Sequence, residues 1–166
     1  MSQMETPVRK RDNRVAPPVI APIAPITTHE IRRFEVPDVD RHGIWMIERL
    51  KTAYPHLDQR QMVGWLRGLV YNNEFLFLFQ EHSVGLAQAV RPDPFTPTVV
   101  IWERFVWAQS PEYVEEAAAF YERFAAWGKH KDASSIVVDE QTDVPNELIE
   151  KCLGELSERK QVYARL

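Results

Sequence analysis

The sequence predicts an α/β (α+β) domain with a mixed, mostly antiparallel sheet flanked by helices, preceded by an extended N-terminal arm. Apolar strand-like runs alternate with amphipathic helical stripes along residues 29–166. A chain of 166 residues is long enough for one hydrophobic core and short for two. Prolines crowd residues 1–28 and exclude helix there. We therefore expect an arm, residues 1–28, and a single domain, residues 29–166.

Composition excludes several classes of protein. The formal net charge of -4 gives no general reason to expect nucleic acid as the main partner. The single cysteine, Cys152, excludes an internal disulfide and indicates a reducing compartment. No apolar run approaches the roughly 20 residues that span a bilayer. We expect a cytoplasmic protein without a membrane span.

The arm combines positive charge with proline and branched apolar residues. Proline at this density favours an extended, polyproline-like path, which cannot bury its own isoleucines. The arm is therefore expected either to pack on its own domain or to dock on another subunit of an assembly. The expected partner-binding residues are the basic Arg9, Lys10, Arg11 and Arg14 and the apolar Val19, Ile20, Ile23 and Ile26.

The first part of the domain predicts one strand and two helices. Residues 30–36 predict a strand that is ended by a proline. Asp38 is placed to cap a helix that continues to Tyr54. Asp58 and Gln61 have the spacing of a capping box at the start of a second, clearly amphipathic helix.

The remainder predicts strands and helices in alternation. Residues 74–80 contain a continuous apolar run from Phe75 to Phe79, which is typical of a strand covered on both faces. Ser110 and Pro111 have the pattern of a helix start, with serine as cap and proline at the first helical position. The other predicted strands are 84–91, 99–108, 134–140 and 160–166, and a further predicted helix is 145–156.

This order of elements resembles the GNAT acyltransferase superfamily over roughly residues 29–166. In that family acetyl-CoA binds at a splayed sheet, and the fourth strand with the following helix builds the cofactor site. The segment "VVIWERFVWAQSPEYVEEAAAF" falls at that position. The resemblance implies that a cofactor would contact Val106, Trp107, Ala108, Gln109 and Ser110, and that Glu103 lies where some members carry a general base.

The same segment departs from the family pattern. The family usually has Gln or Arg, two residues, and then Gly-x-Gly or Gly-x-Ala, because glycine lets backbone N–H groups approach a pyrophosphate. Here "AQSPEYVEEA" has no glycine, Pro111 lacks an N–H donor, and Glu112, Glu115 and Glu116 would repel a diphosphate. The family's Tyr before a Gly-Phe pair is also absent near Leu148. We therefore expect no cofactor.

The histidines, the cysteine and the basic run give only weak evidence for other kinds of site. The histidines are scattered without Cys or Asp at ligand spacing, so no metal site is expected. Cys152 has no suitably near histidine and is expected to be a packed thiol. The basic run "RKRDNR" leaves open a nucleic-acid-associated role for the arm.

We expect a non-catalytic GNAT-like protein that docks on partner subunits through its arm. Short-tailed phages encode small GNAT-like proteins linked to virion assembly, and the resemblance implies such a virion-associated role. The alternative is an N-acetyltransferase that uses acetyl-CoA with an atypical pyrophosphate loop. In that case backbone amides near residues 106–109 would polarise the thioester carbonyl, and Glu103 would accept the amine proton through a water.

Overall fold

The computed structural model describes residues 30–139, 142–158 and 162–165. The expected arm and its eight partner-binding residues lie outside the described residues. The strands are β1 (Arg32–Arg33), β2 (Phe75–Gln80), β3 (Ser83–Val90), β4 (Val99–Ala108), β5 (Ala133–Val138), β6 (Ser157–Glu158) and β7 (Val162–Arg165). The helices are α1 (Val36–Ala53), α2 (Gln59–Val70), α3 (Val114–Ala117), α4 (Phe120–His130) and α5 (Asn146–Leu153).

The described strands form one seven-stranded sheet in the order β1-β2-β3-β4-β5-β7-β6. All neighbouring strands are antiparallel except β4 and β5, which are parallel. A parallel pair needs a crossover, and α3 and α4 supply it. The mixed, mostly antiparallel sheet flanked by helices is as the sequence predicted.

The first helix begins earlier than expected. The strand prediction for residues 30–36 was wrong beyond Arg33, because α1 starts at Val36 and its N-cap is Glu35. Proline is tolerated in a first helical turn, where its missing N–H has no intrahelical partner in any case. Asp38 is therefore inside the helix, and its carboxylate accepts a 2.7 Å hydrogen bond from the Glu35 N–H. The same carboxylate receives two hydrogen bonds from Arg32.

The second helix begins as predicted. The Gln61 N–H donates to Asp58 Oδ1 at 2.8 Å, and the Asp58 N–H donates to Gln61 Oε1 at 3.0 Å. This reciprocal pair is the capping box that the sequence spacing indicated.

The helices after β4 are shorter than predicted. The helix after β4 is broken into a 3₁₀ turn (Pro111–Tyr113), α3 and α4. Helix α5 ends at Leu153 because Gly154 has a φ of 82°, which favours glycine. The short strand β6, which the sequence did not indicate, pairs with β7 as a hairpin.

Two hydrophobic clusters lie on opposite faces of the sheet. One joins α3, α4 and α5 to the sheet around Phe120, Tyr121 and Phe124. The other joins α1 and α2 to the opposite face around Met46 and Leu66. Strand β4 contributes to both clusters, so it is covered on both faces.

Gly85 in β3 is where α4 approaches the sheet most closely. A Cβ atom at this position would lie 2.9 Å from Phe120 Cγ and 3.0 Å from Phe124 Cζ. Both rings are fully buried and cannot move aside without disturbing the cluster.

We predict that Gly85→Ala destabilises the protein by about 1–3 kcal/mol, because the added methyl overpacks the space under α4. The free energy of unfolding from urea titration measures this. Gly64→Ala is the matched control, since a Cβ there meets nothing within 4 Å and Gly64 lies in the exposed face of α2. It should raise stability by up to about 1 kcal/mol. Equal effects of the two substitutions would contradict the packing argument.

Candidate functional site

Strand β4 carries a bulge next to Glu103. Its register against β3 shifts between Leu86, which pairs with Phe105, and Ala87, which pairs with Glu103. Arg104 is therefore the extra residue. A bulge reverses the alternation of side chains, so Arg104 and Phe105 both line the face under α1 and α2.

The parallel strands part just before the bulge. Pairing of β4 with β5 runs from Val99 opposite Ala133 to Trp102 opposite Val137 and then stops. The last six residues of β4 therefore have no strand beside them on this edge. This divergence is the splay in which the family resemblance would place a cofactor.

Asp143, which follows β5, occupies the upper part of the splay. The Asp143 N–H donates to the Val106 carbonyl at 2.9 Å. The Asp143 Oδ2 atom accepts from the Ala108 N–H at 3.0 Å. One residue thus satisfies two backbone groups of β4 that β5 leaves without a strand partner.

Arg49 of α1 holds the Asp143 carboxylate in place. Its Nη1 atom donates to Asp143 Oδ1 at 2.9 Å, and its Nη2 atom forms an ion pair with Asp143 Oδ2. The same guanidinium donates to the Ala108 carbonyl at 3.3 Å. A two-point contact of this kind is stronger and more directional than a single ion pair.

The turn after β4 borders a cavity of about 300 Å³. Of the residues expected to contact a cofactor, Ala108, Gln109 and Ser110 line this cavity, whereas Val106 and Trp107 are buried in the strand. The cavity is lined by Arg49, Ala108, Gln109, Ser110, Pro111, Val114 and Asp143. Its cation is thus already paired with a protein carboxylate.

The first turn after the cavity is acidic, as the sequence indicated. Ser110 is the N-cap of the 3₁₀ turn, with Pro111 following it. The Ser110 hydroxyl donates to Glu112 Oε1 at 3.0 Å and not to a backbone group of the turn. Glu115 and Glu116 follow in α3, which is one turn long. An anion in the cavity would lie beside a short helix with a weak dipole, and the segment from Glu112 to Glu116 carries three carboxylates.

Glu103 lies in the lower part of the splay and is fully buried. Its Oε2 atom accepts from the Asp139 N–H at 2.7 Å, which links β4 to the end of β5. Its Oε1 atom accepts from the Tyr121 hydroxyl of α4 at 2.9 Å. That hydroxyl lies 2.7 Å from Thr142 Oγ1, which accepts from the Val144 N–H at 3.2 Å.

Burial determines the protonation of this network. It raises the pKa of Glu103 to about 8, although hydrogen bonds from Asp139 and Tyr121 act in the opposite direction. Burial and the neighbouring Glu103 also raise the pKa of Tyr121. Glu103 therefore keeps its proton at neutral pH. The sequence placed a base here, and that role stays a prediction: Glu103 is fully buried and does not line the cavity after β4.

A second cavity lies on the other face of β4. This bulge cleft has a volume of about 280 Å³ and contains three polar side chains at its sheet side, Gln88, Arg104 and Asp139. Arg104 donates to Gln88 Oε1 from both Nε (2.9 Å) and Nη2 (2.5 Å). The remaining lining is Leu50, Ala53, Tyr54, Trp65, Phe75, Phe105 and Trp107.

Sequence reasoning found the turn after β4 but missed Arg49 and Asp143. These residues are 94 positions apart, and neither belongs to a local motif. Among the described residues, no three His, Cys, Asp or Glu side chains are grouped as metal ligands would be. None of the described helices has the length and apolar character needed to cross a bilayer.

We predict that Glu103→Gln changes the pH dependence of stability. The unfolded glutamate ionises near its ordinary pKa of 4.5, whereas the buried one ionises near 8. The unsubstituted protein should therefore lose about 1.4 kcal/mol of unfolding free energy per pH unit relative to Glu103→Gln across this window, as pH rises. Glutamine can accept from the Asp139 N–H with its amide oxygen and place its NH₂ group beside the Tyr121 hydroxyl, which can then donate to Thr142 Oγ1.

Denaturant titrations at several pH values measure this difference. Glu115→Gln removes a carboxylate from an exposed position and controls for the lost charge. A constant difference between Glu103→Gln and the unsubstituted protein from pH 5 to 8 would contradict the buried, protonated state.

We also predict that Asp143→Ala costs about 1–3 kcal/mol of stability, because the Ala108 N–H and the Arg49 guanidinium lose their acceptor. Asp40→Ala is the matched control. Asp40 is a largely exposed carboxylate 4.0 Å from Arg67, and its loss should change stability by no more than about 0.5 kcal/mol. Thermal and urea unfolding of both variants measures the difference, and equal effects would show that the Asp143 contacts contribute little.

No family model matches the sequence, and no curated protein matches it. Among solved structures, the chain is similar to aminoglycoside antibiotic 6'-N-acetyltransferase AAC(6')-Ih from Acinetobacter baumannii, with a TM-score of 0.53 and 15% identity over 78% of this chain and 92% of that one. It is also similar to a GNAT-family acetyltransferase from Listeria monocytogenes, with a TM-score of 0.50 and 11% identity over 82% and 94%. At these identities the likeness concerns the fold alone. The chain has a GNAT-like fold, as the order of its elements predicted.

Proposed function

We propose that this protein is a non-catalytic GNAT-like domain that acts through contacts with other protein subunits. The observation that carries the proposal is the occupation of the β4 edge by Asp143. A ligand lying between diverging strands would need the Val106 carbonyl and the Ala108 N–H as hydrogen-bond partners. Here both are bonded to the chain itself.

The turn after β4 supports the same proposal. It has no glycine, and proline stands where a backbone donor would face an anion. The only basic side chain lining the cavity in the described structure, Arg49, already neutralises Asp143. A diphosphate would have to compete with that carboxylate for Arg49, and the Ser110 hydroxyl already donates to Glu112. These features disfavour acetyl-CoA as a cofactor.

The contacts with other subunits are assigned to residues 1–28. In this proposal the arm's four basic residues and its branched apolar residues bind a partner surface. A place in a phage virion, a cytoplasmic location and nucleic acid as a weaker alternative partner all stay predictions.

An N-acetyltransferase is the second candidate. The similar solved structures are described as acetyltransferases, and the bulge cleft is open beside the splay. Catalysis would require the Asp143 loop to leave β4 so that acetyl-CoA could replace it. It would also require Glu103, which is fully buried, to become accessible as a base.

Calorimetric titration of acetyl-CoA and of free CoA into the full chain separates the two candidates. We predict no binding heat and no thermal shift at millimolar ligand, because the backbone groups of the splay are already paired. A GNAT enzyme of known activity, titrated in the same buffer, is the control.

Micromolar binding would overturn the non-catalytic proposal. In that event Arg49→Ala should weaken binding if the cavity after β4 holds the phosphates. Glu103→Gln should lower the acetylation rate if Glu103 is the base.

A further inference from the structure

An apolar groove lies between the end of α1 and α2. It has a volume of about 390 Å³ and is lined by Leu50, Tyr54, Leu57, Gln61, Met62 and Trp65, which we call the α1–α2 groove. The buried Leu50 and Met62 form its floor. Tyr54 and Trp65 form its walls and remain 48% and 42% exposed. The groove adjoins the bulge cleft, because Leu50, Tyr54 and Trp65 line both.

This lining fits a proline-rich segment. Grooves walled by tyrosine and tryptophan bind polyproline helices, whose prolines and branched residues pack between the rings. The Tyr54 hydroxyl and the Trp65 indole N–H are donors suited to the carbonyl groups that proline leaves without partners nearby. The chain contains such a segment in residues 15–26, "VAPPVIAPIAPI", which holds four prolines and four Val or Ile residues after Val15.

The position of the groove relative to Glu30 distinguishes a chain's own arm from that of a second copy. Arg32 pairs with Phe79, so Glu30 lies towards the Gln80 end of β2, whereas Tyr54 lines a cavity with Phe75 at the other end. His42 of α1 lies beside Phe79, with ring centroids 4.6 Å apart, and the helix rises about 18 Å from His42 to Tyr54. Glu30 is two residues further from the groove than Arg32, which adds up to about 7 Å. The four steps from Glu30 back to Ile26 span at most about 14 Å.

Residues 24–26, which include the anchor Ile26, therefore fall short of the chain's own groove. Only residues upstream of about Ile23 could reach it, and they would have to run back along α1 from His42 to Tyr54. The distance from Glu30 to the groove within one chain does not limit binding to a second copy, so all of residues 15–26 could occupy that copy's groove. Two copies can also fill both grooves by exchange, which is the reciprocal arrangement of a twofold dimer.

We propose that residues 15–26 of one chain bind the α1–α2 groove of a second copy. This inference rests on the proposed function and names its partner subunit as another copy of this chain. The arm's isoleucines are the anchors, and Tyr54 and Trp65 are the receiving walls.

Complementation between two variants of the full chain tests the proposal. The groove variant is Trp65→Ala, with Tyr54→Ser as a second groove variant in case Trp65→Ala unfolds. The arm variant carries Ile20→Ser, Ile23→Ser and Ile26→Ser. Sedimentation equilibrium at 10–200 μM, a range on the order of the modest affinities of such segments, measures association, and circular dichroism verifies folding.

The unsubstituted chain should dimerise, and each variant alone should associate at least tenfold more weakly. An equal mixture of groove and arm variants should recover association, because one intact arm meets one intact groove. Phe95→Ala, which truncates a 94% exposed aromatic side chain outside the groove, should leave dimerisation unchanged.

Three results would overturn the proposal. They are a monomeric unsubstituted chain, a dimer unaffected by either set of substitutions, and a mixture that fails to associate, which would indicate docking within one chain or on another protein. The acetyl-CoA titration is independent of these measurements. Dimerisation by arm exchange together with acetyl-CoA binding would refute only the proposal that the protein is non-catalytic. A monomer that does not bind acetyl-CoA would refute only the arm exchange.

Discussion

The contact between Asp143 and the edge of β4 that β5 leaves unpaired determines whether the splay between the two strands is open or closed. Once β4 and β5 diverge, the backbone groups of β4 need partners, because burying them without hydrogen bonds costs free energy. A single residue supplies an amide donor and a carboxylate acceptor to that edge. Arg49 then fixes the carboxylate from α1, so the contact joins α1 both to β4 and to the chain after β5. The splay is consequently closed by the protein itself.

Glu103 also bridges the gap between β4 and the chain after β5, at a position closer to the last β4–β5 pair. Its interactions differ in kind from those of Asp143. Asp143 has a guanidinium partner and is partly exposed. Glu103 has only an amide and a hydroxyl donor, and burial leaves it protonated. The two acids thus connect β4 to the chain after β5 in two ways, one by charge pairing and one by neutral hydrogen bonds. A rise of pH through the neutral and mildly alkaline range ionises Glu103 and so weakens the connection that it makes.

The fold could be predicted from local patterns, but the closure of the site could not. The capping box at Asp58 and the apolar run of β2 are signals within a few residues, and the structure confirmed both. The predicted start of α1 was wrong because Pro37 was interpreted as the end of a strand. Proline is in fact well tolerated in the first turn of a helix. The Arg49–Asp143 pair joins positions 94 residues apart, so no window of sequence contains it. The bulge at Arg104 depends on register against β3, which the residues of β4 do not specify alone.

The two outermost strands of the described sheet limit how copies of this protein can associate. Strands β1 and β6 have two residues each, and β1 consists of two arginines. Short and charged outer strands give an incoming chain almost no backbone template, which is a common protection against uncontrolled sheet extension. In the proposed assembly, recognition by side chains is therefore favoured over strand addition. Under that constraint, the number of subunits in an assembly is limited by the number of side-chain binding surfaces on each subunit.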